Sequence, residues 1–166
     1  MKIALIGYGA MGKLIKTLAE NKNHEIAVII DESNANLSVE ELAEKLKGVD
    51  AAIDFSVAEA VKRNAEACLM ANVPIVEGTT GWNAEMENIK NLIEEKNGAF
   101  VFGANFSIGV NLFYRIADFA SELFAGFDDY EAFIEEQHHS RKKDAPSGTA
   151  LKLKEIVAVN LSLIHI

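Results

Sequence analysis

The sequence predicts an α/β protein built on a parallel sheet with helices on both faces, followed by the start of a second, α+β domain. Three observations predict it. Short apolar runs alternate with helix-periodic segments from Met1 to Phe102, the first run ends in a glycine-rich turn, and the alternation breaks after Phe102. A length of 166 residues suits one domain, or one domain and part of another.

The elements follow in order. Lys2 to Ile6 is apolar and ends in glycine, as a buried parallel strand does. Ala10 to Asn21 has helical spacing, with Leu14, Ile15 and Leu18 on one face. Glu25 to Ile30 is a second strand, Ser38 to Lys47 an amphipathic helix that Gly48 stops, and Ala51 to Phe55 a third strand. A helix over Val57 to Ala71 leads to a fourth strand, Val73 to Val76. A charged-faced helix over Asn83 to Lys96 is halted by Asn97-Gly98, and Ala99 to Phe102 is the fifth strand. Ile108 to Phe124 then forms a long helix with Leu112, Phe113, Ile116 and Phe119 as its buried stripe. Tyr130 to Glu136 alternates apolar and acidic residues, which predicts a strand with one solvated face. These patterns place a first domain over residues 1–125 and part of a second over 126–160. Leu161 to Ile166 resembles what a common sequencing-library adapter encodes and is expected to be a tail foreign to the protein.

Composition narrows the function. With a formal net charge of -9 and a pI near 4.9, the chain lacks the basic face that nucleic-acid binding needs. No run of about 18 apolar residues could cross a membrane. The apolar opening is broken by Gly7, Gly9 and Gly12 before it reaches the length of a signal peptide, so a cytoplasmic protein is expected. A lone cysteine, Cys68, in an apolar-flanked helical run reads as a core residue. No metal site is expected.

Gly7-Tyr8-Gly9-Ala10-Met11-Gly12 fits G-x-G-x-x-G directly after a strand and opening a helix, the Rossmann-like fingerprint of dinucleotide binding. Asp31 ends the second strand about twenty residues later, where a carboxylate would meet a ribose 2′-hydroxyl. Asp31 and Glu32 bring no neighbouring arginine or lysine for a 2′-phosphate, so NADH is expected ahead of NADPH. Further loops at the carboxyl ends of strands, Asp54-Phe55-Ser56, Gly78-Thr79-Thr80-Gly81 and Gly103-Ala104-Asn105-Phe106-Ser107, lie where α/β ligands bind.

The stretch Glu136-Gln137-His138-His139-Ser140-Arg141-Lys142-Lys143-Asp144-Ala145-Pro146-Ser147-Gly148-Thr149-Ala150 combines three chemistries. Two histidines can donate protons near neutral pH. A basic triplet supplies local positive charge in an acidic chain. Pro-Ser-Gly-Thr begins a helix running through Leu151 to Val159, whose first backbone N–H groups suit an anion; Gly148 and Thr149 would bind a substrate carboxylate.

These motifs together resemble the dihydrodipicolinate reductase family over Met1 to roughly Val159. The resemblance implies an enzyme of lysine and diaminopimelate synthesis. It would pass a hydride from NADH or NADPH to a cyclic, unsaturated dicarboxylate, and its full-length form would be a homotetramer. It implies His138 as the proton donor, Lys142 as a second donor, and His139 as a substrate contact. Phe55, Gly78, Thr79, Thr80, Gly103, Ala104, Asn105 and Phe106 become cofactor contacts, with Gly78 to Thr80 and Gly103 to Phe106 serving its nicotinamide half. Two rivals stand beside this reading. Another small NAD-dependent dehydrogenase would share the glycine turn but not the His138 to Thr149 segment. A non-catalytic nucleotide sensor would have no use for His138 and Lys142.

Overall fold

A computed structural model of the chain describes residues 1–138, 140 and 145–161. Strands β1 (Lys2–Ile6), β2 (Glu25–Ile30), β3 (Ala51–Asp54), β4 (Ile75–Glu77) and β5 (Phe100–Phe102) form one parallel sheet in the order β2-β1-β3-β4-β5. Helices α1 (Ala10–Asn21), α2 (Val39–Leu46), α3 (Val61–Met70) and α4 (Met86–Glu95) supply the crossovers between successive strands. The chain steps from β1 outward to β2 and then returns past β1 to β3. That reversal opens a crevice beyond the carboxyl ends of β1 and β3, the place where open α/β sheets bind ligands.

The period-two geometry of β1 distributes its side chains between two cores. Ala4 and Ile6 join Leu42, Ala43 and Leu46 of α2 and Ala67 and Cys68 of α3. Ile3 and Leu5 pack with Ile15 and Ala19 of α1 on the opposite face. A third cluster sets Trp82 against Phe100 and Phe102 of β5, with Val61, Ala65 and Ile89 beneath. Cys68 is buried as expected, and burial, with Asp54 and Glu77 nearby, pushes its thiol up to about 12.

Helix ends follow local chemistry. The Ser38 hydroxyl accepts from Glu41 N–H at 3.2 Å while Glu41 Oε2 accepts from Ser38 N–H at 2.8 Å, a reciprocal cap that starts α2. Ser38→Ala is expected to lower stability by about 1 kcal/mol, measured by denaturant unfolding with the slope of the transition unchanged.

The chain divides into two compact units, Met1–Ala104 and Asn105–Ile166. The divide falls ahead of the helix α5 (Ile108–Phe124), whereas hydropathy pattern alone suggested a boundary near Gly126. The reason is that α5 packs with α6 (Gly148–Val157), and Asn160 Nδ2 donates to Ser121 Oγ at 3.0 Å.

Two expectations are corrected. Leu112, Phe113, Ile116 and Phe119 of α5 are exposed, not buried, because no described element of the second unit besides α6 packs along the helix. Tyr130 to Glu136 is not a strand: only Ala132 makes an isolated bridge. Alternation marks which side chains would share a face, but a strand exists only where a neighbour completes its ladder. On α1, Leu14 and Leu18 are likewise exposed while Ile15 and Ala19 pack inward.

Candidate functional site

The first site is a cleft of about 670 Å³ at the β1/β3 crevice. Gly7, Tyr8, Gly9, Asp31 and Phe55 line it. The three glycines of the turn meet different constraints. Gly7 has φ +85°, and a Cβ there would lie 2.3 Å from the Phe55 carbonyl oxygen. A Cβ on Gly12 would lie 2.2 Å from the Gly7 carbonyl oxygen, so α1 can approach the turn only with glycine there. At Gly9 a Cβ would meet nothing within 4 Å. Neither packing nor backbone angle demands glycine at this position, which leaves open space above the turn. Ala10 and Met11 begin α1 without lining the cleft.

Asp31 caps the short turn Glu32–Asn34, its Oδ1 accepting from Ser33 N–H at 3.0 Å and Ser33 Oγ at 2.6 Å. Those bonds, led by the Ser33 hydroxyl, hold its carboxyl below the ordinary value. The fold also brings in residues that no sequence motif announced. Lys13 of α1 and Arg63 of α3 line the same cleft. Arg63 Nη1 donates to the carbonyls of Ala35 and Leu37, and its Nη2 donates to Asn64 Oδ1 at 3.3 Å. Arg63 lies more than thirty positions from Asp31 in sequence, so the absence of a basic neighbour at Asp31 described the chain and not the cleft.

The other strand-end loops are arranged behind it. Ser56 N–H donates to Thr79 Oγ1 at 3.0 Å, which ties the loop after β3 to that after β4. Trp82 Nε1 donates to the Thr79 carbonyl at 2.7 Å. A Cβ on Gly78 would strike the Phe55 ring at 2.2 Å. Gly103 N–H donates to the Glu77 carbonyl at 3.1 Å. Gly78, Thr79, Thr80, Gly103 and Ala104 do not line the cleft itself. Asn105 and Phe106 belong to the second unit, where Asn105 Oδ1 accepts from Ser107 N–H at 2.8 Å ahead of α5.

The second site lies within the second unit. Ser147 caps α6, its Oγ accepting from Ala150 N–H at 3.1 Å. Gly148 is exposed and Thr149 half-buried, so their N–H groups stand at an open helix start. Glu136 connects this start to the histidine motif. Its Oε1 accepts from Ser147 N–H at 2.8 Å, and its Oε2 lies 2.8 Å from His138 Nε2. Hydrogen bonds from Ser147, then from His138, lower the Glu136 carboxyl to about 2. Glu136 is therefore anionic wherever an imidazole titrates. No sequence motif gives Glu136 a role; its two-residue spacing from His138 is the signal the sequence offers. His139, Arg141, Lys142, Lys143 and the segment 162–166 lie outside the described residues. Among the described residues no cluster of metal-ligating side chains occurs, and no helix is long and apolar enough to cross a membrane.

The sheet order, the glycine turn and the cleft above it define the Rossmann-like class of α/β protein. Residues 1–106 match the family model described as dihydrodipicolinate reductase, N-terminus, and residues 109–163 match that described as its C-terminus. The chain belongs to the dihydrodipicolinate reductase family. It is 37% identical over 155 residues to the 4-hydroxy-tetrahydrodipicolinate reductase of Christiangramia forsetii, covering 93% of this chain and 63% of that protein. The corresponding protein of Methanocaldococcus jannaschii is 33% identical over 184 residues, covering 96% and 66%. A dipicolinate-bound dihydrodipicolinate reductase from Paenisporosarcina sp. TG-14 superposes with a TM-score of 0.69 at 29% identity, covering 96% of this chain and 66% of that one. The chain thus spans just under two thirds of the length of these curated relatives.

Proposed function

We propose that this chain carries the nucleotide-binding and catalytic motifs of a 4-hydroxy-tetrahydrodipicolinate reductase acting in lysine and diaminopimelate synthesis. The observation that supports it most is Glu136, which holds His138 and the start of α6 at once. That link keeps the His138 imidazole and the start of α6 within one unit, which supports a proton donor beside a seat for a substrate carboxylate.

In this reading the first unit binds NADH or NADPH. Its Gly7 to Gly12 turn receives the pyrophosphate, and the Asp31 carboxylate receives a ribose hydroxyl. Residues 126–160 contribute to a substrate and oligomerisation domain, and the whole protein is a homotetramer. The cofactor, when bound, supplies a hydride. Every other requirement falls on the chain. Gly148 and Thr149 offer N–H groups to a substrate carboxylate, His139 contacts the substrate, and Lys142 adds charge and assists as a second donor. Loss of water from the hydroxylated substrate gives a C=C bond conjugated with C=N; hydride addition there leaves electron density to be protonated, and His138 provides the proton. Glu136 orients the imidazole by accepting from Nε2, leaving Nδ1 to face the substrate.

The test is consumption of NADH in the presence of the cyclic hydroxylated dicarboxylate, by a form carrying the segment that its relatives have beyond residue 160. Absence of turnover with either cofactor would refute the reading. NADH is expected to serve at least as well as NADPH, because Asp31 and Glu32 repel a 2′-phosphate while Arg63 is engaged by the Ala35 and Leu37 carbonyls. A gap of about ten- to a hundredfold in kcat/KM, roughly 1.4–2.8 kcal/mol, is expected. A clear preference for NADPH would assign Arg63 or Lys13 to the phosphate instead.

A further inference from the structure

Two carboxylic acids are buried side by side behind the cofactor cleft. Asp54 ends β3 and Glu77 ends β4, and the two are register partners in the parallel ladder. Both side chains are fully buried, at 0% exposure. Being in register, they project to the same face of the sheet, toward α3, where Asn64 Nδ2 donates to Asp54 Oδ2 at 2.8 Å. Glu77 Oε1 accepts from Thr79 N–H at 2.6 Å, whereas its Oε2 is buried with no donor among the described residues. As register partners on adjacent strands, the two carboxyl groups share one buried site. Two ionised carboxylates cannot hydrogen-bond, and placing both charges in a buried site carries a desolvation cost as well as repulsion. A proton between them satisfies the orphaned oxygen and removes one charge.

The same groups hold both loops. Asp54 Oδ1 accepts from Ser56 N–H at 2.8 Å, and Asn64 Nδ2 also reaches Ser56 Oγ at 3.2 Å. Ser56 N–H is shared with Thr79 Oγ1, and Thr79 is anchored on Glu77. Phe55 and Ser56 line the cleft, and the Phe55 carbonyl abuts Gly7 of the glycine turn. Separation of β3 from β4 at this end would therefore move the cleft wall.

We propose that Asp54 and Glu77 act as a proton-sharing positioning pair that locks the loops after β3 and β4, so that dinucleotide affinity falls in alkaline solution. The affinity arm rests on the cofactor reading above; the lock itself does not. The groups that face the pair are few. Cys68 of α3 is the other titratable one, with its thiol pushed up to about 12 and so neutral throughout the range concerned. Arg63 donates to Asn64 and to the Ala35 and Leu37 carbonyls, and makes no ion pair with either carboxylate among the described residues. Burial first, then the Asp54 charge, raises the Glu77 carboxyl to about 8, and burial raises Asp54. Between the ordinary glutamate value of 4.5 and about 8, the folded chain retains a proton that the unfolded chain has released. Stability must then decline with rising pH across that window.

Glu77→Gln separates the alternatives, because the amide can donate permanently to Asp54 while its oxygen still accepts from Thr79. Thermal unfolding of the cofactor-free 166-residue chain and Glu77→Gln is compared from about pH 5 to 9. The wild type is expected to lose stability as pH rises, and the variant to show a flatter profile. NADH titration follows at the same pH values. Wild-type affinity is expected to weaken by up to about tenfold per pH unit above about 8, while Glu77→Gln holds its neutral-pH affinity. Equal pH slopes in the two proteins would overturn the proposal. An unfolding difference with no NADH binding at any pH would refute the cofactor reading and leave the lock standing. Should Glu77→Gln fail to fold, carbon NMR of the wild-type carboxyls decides: a Glu77 carboxyl titrating in the ordinary glutamate range overturns the proposal.

Discussion

His138→Gln is expected to lower kcat by about 10²-fold or more while NADH affinity stays unchanged. The assay uses the form extended beyond residue 160. Glutamine can still donate a hydrogen bond to Glu136, so the start of α6 keeps its carboxylate partner, but it cannot surrender a proton to the substrate. The loss should therefore fall on turnover. Removing the anchor instead gives a different signature. Glu136→Gln retains the hydrogen-bonding shape but removes the negative charge facing His138 Nε2, and it weakens the acceptor for Ser147 N–H. A smaller loss of kcat than in His138→Gln, with NADH affinity unchanged, is expected from it. Lys142→Ala should damage both kcat and substrate KM, since it removes charge as well as a donor. Near-parental turnover in His138→Gln would end the general-acid assignment.

Gly9→Val is expected to abolish tight NADH binding without unfolding the protein. A Cβ at Gly9 meets nothing within 4 Å, so the folded chain can house the side chain. The same empty space is the proposed pyrophosphate seat, which a branched side chain would fill. Affinity should fall by about 10²-fold, or roughly 2.8 kcal/mol, while the unfolding midpoint hardly moves. Gly12→Ala should behave in the opposite way. Its Cβ would lie 2.2 Å from the Gly7 carbonyl oxygen, so α1 must shift and stability falls before any ligand is added. Calorimetric titration of NADH beside thermal unfolding separates the two. Unchanged NADH affinity in Gly9→Val would remove the dinucleotide from this cleft.

Much of this architecture was legible because each parallel strand and crossover helix carries its own local signal. β1, β2, α1 and α5 have the bounds that hydropathy period and caps suggested. The glycine turn was legible for the same reason: backbone angle, open space and close packing are demands made on three neighbouring residues. Where sequence reading went astray, the missing quantity was a partner. Leu112, Phe113, Ile116 and Phe119 carry the period of a buried stripe, yet period says only that they share a face. Tyr130 to Glu136 alternates as a strand does, yet has no ladder to join among the described residues.

By itself, then, the sequence determined the strand and helix order, the glycine turn and the histidine-to-helix motif, all of them properties of neighbours along the chain. Only the tertiary structure decided which distant groups meet. It placed Arg63 beside the Asp31 cleft, made Glu136 the link between His138 and Ser147, and buried Asp54 against Glu77. Charge, burial and proton affinity depend on distances through space, and parallel pairing sets those distances between residues that the chain keeps far apart.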